Sequence, residues 1–576
     1  MSKTPNFDIK LKAILDATQL GERFCPISGE RWQLDQDEIE RCRAWGVPVL
    51  EMSPAMRVHF LGSWGAGVDL WWKPHMLTGK PILSAVPPDA MPPVITDKEY
   101  YSECPGESRS IEIDPNRPFF DLHADLIKKV PGPAFQSHGS VNTVGGGYID
   151  CVNAYMMFGT YSAKDSWYSF RNKVLDDCMD MAMCEKCENS YSSTMCLHLN
   201  NCKQMFESLY CMNCQFGFDL HNCENCYQCA NLRYKKFMYQ NEQLSQDEYE
   251  AKMREINLSC SSSFDQERKK FLTFLQTKAI WPEDFNINSP GCSGEYVLDC
   301  IDSSGYFMTN TKNVRCGWFV FDSENLESIV IGNDSQDVYN SCVSIACQNS
   351  KMMYVCKYSM GCEYCMMCDD LEYCFGCIGL RKKKYCIFNK QYSEDEYWQK
   401  LDQLKCAMLE RGEYGEFWPV KMAYWWPQYG FASLVYPFTD EELKKLDAPH
   451  FDAKEGMRYA PYPQDIEIYS TDEVPDCIAD VGDEWAGKMF KDVEEDRRFT
   501  LNEHEIAYRK KKGYPFPRRH YRARFKELVR QVNSPERVLA VCTKCSKQIE
   551  INNNRMFPDR KVYCKPCYLQ YLEEHG

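Results

Sequence analysis

Residues 221–236 read HNCENCYQCANLRYKK, and residues 369–384 read DDLEYCFGCIGLRKKK. In the first stretch Cys223, Cys226 and Cys229 recur every third residue, and a basic run follows at once. A shift of 148 residues superposes the two without a gap. Cys214 falls on Cys362, Cys226 on Cys374, Cys229 on Cys377, Arg233 on Arg381, Asn241 on Asn389 and Glu248 on Glu396. Self-similarity on this scale marks a repeated module, so 141–256 and 292–404 read as two copies of one unit.

Each copy carries a finer period of 12. In the first, Ser166, Cys178, Ser190, Cys202, Cys214 and Cys226 share a column, preceded by Asp165, Asp177, Asn189, Asn201, Asn213 and Asn225. In the second the column is Val314, Leu326, Val338, Ser350, Cys362 and Cys374, with Asn313, Asn325, Asp337 and Asn349 before four of them. A short fixed period with one small residue per column predicts a β-solenoid. The Cys, Ser or Val points inward, because cysteine behaves as a small hydrophobe. The preceding Asn or Asp suits a corner, since it tolerates a left-handed backbone. Zinc is the rival reading, because C-x2-C pairs stand at 184/187, 211/214, 223/226, 362/365, 365/368 and 374/377 and two such pairs make a four-thiolate site. However, a period of 12 with filled columns three apart generates such pairs automatically. Cys202 also maps to Ser350 and Cys223 to Leu371, so several columns do not require a thiol. Disulfides are the third alternative. Ser245-x-x-Glu248 and Ser393-x-x-Glu396 are capping boxes that predict a helix at the end of each copy. The runs RYKK and RKKK before them read as a solvated capping face or, alternatively, a phosphate- or partner-binding patch.

A second self-match, at a shift of 467, lays 34–82 on 501–549, with Glu38 on Glu505, Gly46 on Gly513, Arg57 on Arg524 and Lys80 on Lys547. The C-terminal copy continues into Cys542-x2-Cys545 and Cys564-x2-Cys567. This spacing predicts a zinc ribbon or treble clef holding one structural ion, with no position left for a catalytic water. In the N-terminal copy His75 and Thr78 stand where Cys542 and Cys545 do, so the knuckle is expected without its metal. A site joining Cys25 to His75 is an alternative. Segment 508–531 holds ten Arg or Lys and one Glu. Its Arg509, Lys510, Lys511, Lys512, Arg518, Arg519, Arg522 and Arg524 are candidate contacts for a nucleic acid, or for an acidic surface of another chain or of this one.

The composition sets outer bounds. The 576 residues suffice for several domains, and the formal charge of −16 argues against a chain built mainly to coat nucleic acid. Thirty-three cysteines is an odd number, so a complete intramolecular disulfide set is impossible. No secretory signal or membrane span is expected, which points to a reducing, cytoplasmic compartment where thiols stay free or bind metal. There is no HExxH, P-loop, nucleophile elbow or dinucleotide fingerprint.

LTGKPI (77–82), DPNRPFFDLHADLIKKVPGPAF (114–135), CFGCIGLRKKKYCIFNKQYSEDEY (374–397), EYGEFWP (413–419), VPDCIADV (474–481) and CTKCSK (542–547) follow one another in the chain. In this order they resemble a family of uncharacterised cysteine-rich proteins of small-genome candidate-phyla bacteria, with relatives in large DNA viruses. The resemblance implies architecture and the terminal zinc, and no reaction. Extra metal-type cysteines frequent in that family are lacking here. The expected fold is mainly β with minor α. Residues 1–113 form a degenerate ribbon-like domain, 114–260 a first solenoid with its helix, 261–291 a linker and 292–406 a second solenoid. An aromatic-rich connection (407–494) and a C-terminal zinc-ribbon domain (495–576) follow. The expected role is a non-enzymatic zinc-binding scaffold for protein–protein assembly, as in a large particle such as a virion. A nucleic-acid-associated zinc-ribbon factor and a thiol-based redox protein or enzyme are the alternatives.

Overall fold

The computed structural model describes the chain except residues 1, 138, 149, 161–162, 165, 171–178, 180, 183–204, 310, 313, 316, 319, 321–326, 330–337, 346, 451–457 and 462–464. The expected inward residues Cys178, Ser190, Cys202 and Leu326, the further cysteines Cys184, Cys187 and Cys196, and the corners Asp165, Asp177, Asn189, Asn201, Asn313, Asn325 and Asp337 lie outside the described residues. The chain is built of helices and many short strands in small sheets, with no closed barrel among the described residues. Helices occupy as much of the described chain as strands, so helix is not the minor component expected. The terminal modules carry most of the excess.

The chain divides into two compact units, and each combines one terminal module with one repeat. The first is Met1–Gln136 with Asn286–Ala460, and the second is Ser137–Phe285 with Pro461–Gly576. The N-terminal module therefore packs with the second repeat, and the C-terminal module with the first.

The repeats form parallel ladders in which each residue pairs with the one 12 positions on. Gln215 pairs with Tyr227 and Glu224 with Lys236, while Lys351, Glu363, Phe375 and Ile387 succeed one another across four turns. Lys351 N donates to Cys362 O at 2.9 Å, and Tyr364 N donates back to Lys351 O at 3.1 Å. The opening turns are one residue shorter: Val141 pairs with Val152, and Ile287 with Leu298.

The ladder rests on a three-residue side. Every third residue from Asn349 to Phe388 is left-handed, including Met352 (φ 49°), Val355 (φ 49°), Tyr364 (φ 56°) and Tyr373 (φ 51°). The same holds from Glu207 to Gln240. The Asn corners expected at Asn213, Asn225 and Asn349 are left-handed at φ 50°, 52° and 46°. Each side thus turns the chain at its third residue and buries its first.

The buried column explains the cysteines. Cys356 Sγ lies 3.5 Å from Tyr354 O and 3.3 Å from Cys365 O, so the thiol bridges a carbonyl two residues back to one nine residues ahead. Cys223, Cys365, Cys368 and Cys377 repeat this pattern. Ser350 makes the same two bonds, to Gln348 O at 3.0 Å and Ser359 O at 3.3 Å. The column therefore suits a small side chain that can donate, as both Ser and Cys do, and it also takes Leu220, Leu232, Leu371 and Leu380, all buried. Burial pushes the Cys356 and Cys365 thiols well above their ordinary range, which leaves them poor nucleophiles. One pair departs from the expectation of free or metal-bound thiols. Cys260 and Cys477 are joined by a disulfide, outside the buried column.

Each ladder ends on an asparagine that stands in for the missing next turn. Asn241 accepts from Ala230 N and donates to Ala230 O, both at 2.9 Å, and Asn389 does the same to Ile378 at 2.8 Å. The capping boxes then open the helices Gln246–Arg254 and Glu394–Glu410 as expected.

A left-handed L-residue costs about 1–2 kcal/mol, most for a β-branched side chain. Val355→Asn is therefore expected to raise unfolding stability by about 1 kcal/mol in urea titration. Cys356→Ser is expected to change it by no more than about 1 kcal/mol, and Cys356→Leu to lower it by roughly 1–3 kcal/mol through overpacking. A harmless Leu at 356 would contradict a narrow, filled column.

Candidate metal centre and its metal-free counterparts

Cys542 sits at the turn of the hairpin formed by Asn533–Val541 and Gln548–Asn554. Its N–H donates to Lys547 O at 2.8 Å, and Ser546 N donates to Cys542 O at 2.9 Å, with Ser546 left-handed at φ 62°. Cys564 is the N-cap of the helix Lys565–His575. Its N–H reaches Cys542 Sγ at 3.3 Å, and its own Sγ lies 3.7 Å from Cys545 Sγ. All four sulfurs of Cys542, Cys545, Cys564 and Cys567 lie within 4.8 Å of one another. A tetrahedral ion with metal–sulfur bonds of about 2.3 Å needs sulfurs about 3.8 Å apart, so the group can hold one metal ion. Burial raises the Cys542 thiol. The N–H groups of Cys564, Cys545 and Lys544 outweigh that and hold it at about 6. The backbone thus prepares a thiolate before any metal arrives.

Three other places repeat this hairpin-to-helix geometry without the four-thiolate set. At His75 the backbone bonds recur, His75 N to Lys80 O and Gly79 N to His75 O, both at 2.9 Å. Leu77 N and Thr78 N, in the places of Lys544 and Cys545, both donate to His75 Nδ1 at 3.3 Å. Since Nδ1 accepts, the ring proton is on Nε2, which donates to Glu99 Oε2 at 2.8 Å. Thr96, the N-cap of Asp97–Glu103, gives that carboxylate its N–H at 3.0 Å and its hydroxyl at 2.5 Å. Thr96 and Glu99 take the positions of Cys564 and Cys567. The bonds from Thr96, then from His75, hold the Glu99 carboxyl at about 2.

The remaining two centres precede these by 50 residues and were not recognised in the sequence. Cys25 N donates to Glu30 O at 2.8 Å and Gly29 N to Cys25 O at 2.9 Å, and Ser53 caps Pro54–Gly62. Burial raises the Cys25 thiol, but the Ser28 side chain and the N–H groups of Ser28, Ser53 and Ile27 bring it below its ordinary value. At Asp492 the carboxylate accepts from Glu494 N at 3.1 Å, Glu495 N at 3.2 Å and His520 N at 2.9 Å, and His520 caps Tyr521–Gln531. The signal was the left-handed residue four places on: Gly29, Gly79, Asp496 and Ser546. Cys25 thus belongs to its own centre, and His75 is taken up by Glu99.

The cationic segment is largely tied within its own unit. Arg509 is fully buried against Glu505 Oε1 and Pro515 O, both at 3.0 Å. Arg518 donates to Val474 O at 3.1 Å and Pro475 O at 3.2 Å, and Arg519 to Asp492 at 2.7 Å. Arg522 pairs with Glu495 at 3.2 Å, and Arg524 donates to Arg519 O at 2.8 Å over the Tyr168 ring. Lys510 stands 3.8 Å from Asp483, Lys512 lies over Tyr508, and Lys511 is exposed. Arg509, Lys510, Arg519 and Arg522 thus meet carboxylates of this same chain, while Arg518 and Arg524 bond mainly backbone carbonyls.

The two arginines of the repeated basic runs hold the knuckle helices. Arg233 bonds both oxygens of the buried Asp219, at 2.9 and 3.0 Å, and Asp219 also accepts from Tyr568 OH on Lys565–His575. In the other unit Arg381 donates to Tyr100 O at 2.9 Å, and Tyr100 OH donates to Met367 O at 2.9 Å. Met367 is the counterpart of Asp219 at the shift of 148. The lysines that follow pair one turn back, Lys236 with Glu224 and Lys384 with Glu372.

No family model, curated protein or solved structure matches this chain. Among the described residues no helix is long and apolar enough to cross a membrane.

Burial raises the Asp219 carboxyl, and Arg233, then His221 and Tyr568, outweigh it and hold it at about 2. A carboxyl depressed in the folded state stabilises above its unfolded value and loses that contribution as pH falls through the folded one. Acid unfolding of the second unit is therefore expected between about pH 4 and pH 2, where Asp219 contributes about 2 kcal/mol at neutral pH. Asp219→Asn is expected to cost roughly 3 kcal/mol at pH 7 by leaving Arg233 unpaired and to flatten that acid limb in circular dichroism melts.

Proposed function

We propose that this chain is a non-enzymatic structural protein in which one zinc ion fastens a knuckle to its helix and two cysteine-lined β-solenoids present surfaces for protein–protein assembly. The observation that carries the reading is the fourfold use of one geometry. Cys542 with its thiol partners, His75 with Glu99, Cys25 with Ser53, and Asp492 with His520 all join a hairpin turn to the start of a helix. A centre that works equally with imidazole, carboxylate or thiolate is a joint, and the ion at the four-thiolate one is a fastener with no open coordination place. Zinc is favoured by the all-thiolate tetrahedral set.

Exposed apolar side chains support assembly. Tyr210 and Met212 on the first ladder are 56% and 47% exposed, and their counterparts Tyr358 and Met360 on the second are 64% and 36% exposed. Large apolar groups kept at equal positions on both ladders, outside every core, fit a recurring partner surface.

Zinc removal by a chelator is expected to abolish hydrogen-exchange protection over 542–575 and lower it at Asp219–Arg233, while 75–103 stays protected. Loss of zinc with no change in exchange would contradict the fastener. In sedimentation velocity the wild-type chain is expected to associate with rising concentration, and Tyr210→Ser with Tyr358→Ser to weaken this. A wild-type chain that is monomeric throughout would contradict assembly through these faces.

A further inference from the structure

The first unit contains an open cavity of about 760 Å³ between the ladder, the helix Glu394–Glu410 and the helix Gln36–Trp45. Trp45, Tyr373 and Trp398 line it together with Arg41, Arg315 and Lys351. The size is that of small-molecule sites, which run from about 300 to 1,000 Å³.

Cations outnumber carboxylates in the lining, where Glu327 and Glu363 stand among Arg41, Arg43, Arg315, Lys351 and Lys405. Glu363 is the one carboxylate beside two ammonium groups. It is bonded to Lys405 at 2.9 Å and to Tyr414 OH at 2.7 Å, which leaves Lys351 at 3.9 Å. The Lys351 side chain is 19% exposed, and its ammonium has no hydrogen-bond acceptor among the described residues. Burial, opposed by Glu363, brings it down to about 8. Arg41 bonds Glu38 through Nη2 at 2.5 Å, and its buried Nε, 3.9 Å from Glu327, has no hydrogen-bond acceptor among the described residues. The buried Trp398 Nε1 is likewise without one. Unpaired buried donors are costly, and a fold that needed only packing would have replaced them.

The other unit provides the comparison. At the shifts of 148 and 467, Glu363 is replaced by Gln215, Lys405 by Asn257, Trp398 by Glu250 and Arg41 by Tyr508. The shared scaffold therefore does not require these residues; they belong to the first unit alone.

From this juxtaposition we infer that the cavity is a binding site for a small phosphorylated ligand carrying a flat ring, of the nucleoside monophosphate class. The phosphate lies against Lys351, Arg315 and Arg41, where charge-assisted bonds replace the missing partners. The ring lies among Trp45, Tyr373 and Trp398, whose faces stack with any base.

The test uses the full chain with AMP, GMP, CMP and UMP, and with adenosine and inorganic phosphate as the separate halves. Binding is read by tryptophan fluorescence and by thermal shift. At least one monophosphate is expected to quench the fluorescence and raise the melting temperature, with its halves at least tenfold weaker. Lys351→Met is expected to melt close to wild type without ligand, because Glu363 keeps its shorter bond to Lys405 when the cation 3.9 Å away is removed, and to weaken binding tenfold or more. Arg315→Met, at an exposed position, is expected to weaken binding without altering the fold. The inference is overturned by no response to any of the four at millimolar concentration, by phosphate alone binding as well as the best monophosphate, or by equal binding to wild type and both variants.

Discussion

The hydrogen bond from a buried thiol to two carbonyls on adjacent turns is the interaction on which the rest of the structure depends. A side of three residues, closed by a left-handed corner, gives the ladder a narrow interior in which thiols pack with scattered aliphatic side chains such as Met353, Leu371 and Leu380. The inner carbonyls already accept backbone N–H groups, Cys365 O from Tyr354 N at 2.9 Å, and the thiol adds a second, weaker donor that a leucine would not supply. Cysteine supplies a small apolar body and a weak donor together. Serine does the same at Ser350 with two measured contacts. The corners cost energy at Met352, Val355 and Tyr373, which the coil-to-coil bonding and the filled interior offset.

The ladders then need ends and supports. Asn241 and Asn389 close them by imitating one more turn, and the knuckle helices are held against them by Arg233 and Arg381. In each unit a tyrosine at the fourth residue after the N-cap, Tyr568 or Tyr100, reaches the same ladder position. The units are thus two readings of one assembly, with terminal module and repeat taken from the chain in opposite order.

Much of this was legible in the sequence. The period of 12 and the shift of 148 follow from the columns of small residues, and the capping boxes at Ser245 and Ser393 lie where their pattern placed them. The four-thiolate group was legible because C-x2-C pairs are rare outside metal sites and short-period repeats. What was not legible has physical reasons. The left-handed corners at tyrosine, methionine and valine contradict local propensity, so no residue type announces them. The centres at Cys25 and Asp492 share with Cys542 only a backbone shape, carried by amides that any sequence possesses. The basic segment looked like a surface field because a sequence shows charge without its partners. Asp492, Glu495 and Glu505 lie among its residues only once the chain is folded. The pairing of terminal modules with distant repeats has no local signature at all.

The most direct test of the packing role of the cysteines is metal stoichiometry measured with a thiol count on the same sample, purified without added reductant. One zinc per chain, with every ladder thiol reacting once the chain is unfolded and almost none before, is the predicted result. Three or more zinc ions per chain would show the repeated thiols to be metal ligands, and would contradict the account of the ladder as a hydrogen-bonded, cysteine-filled column.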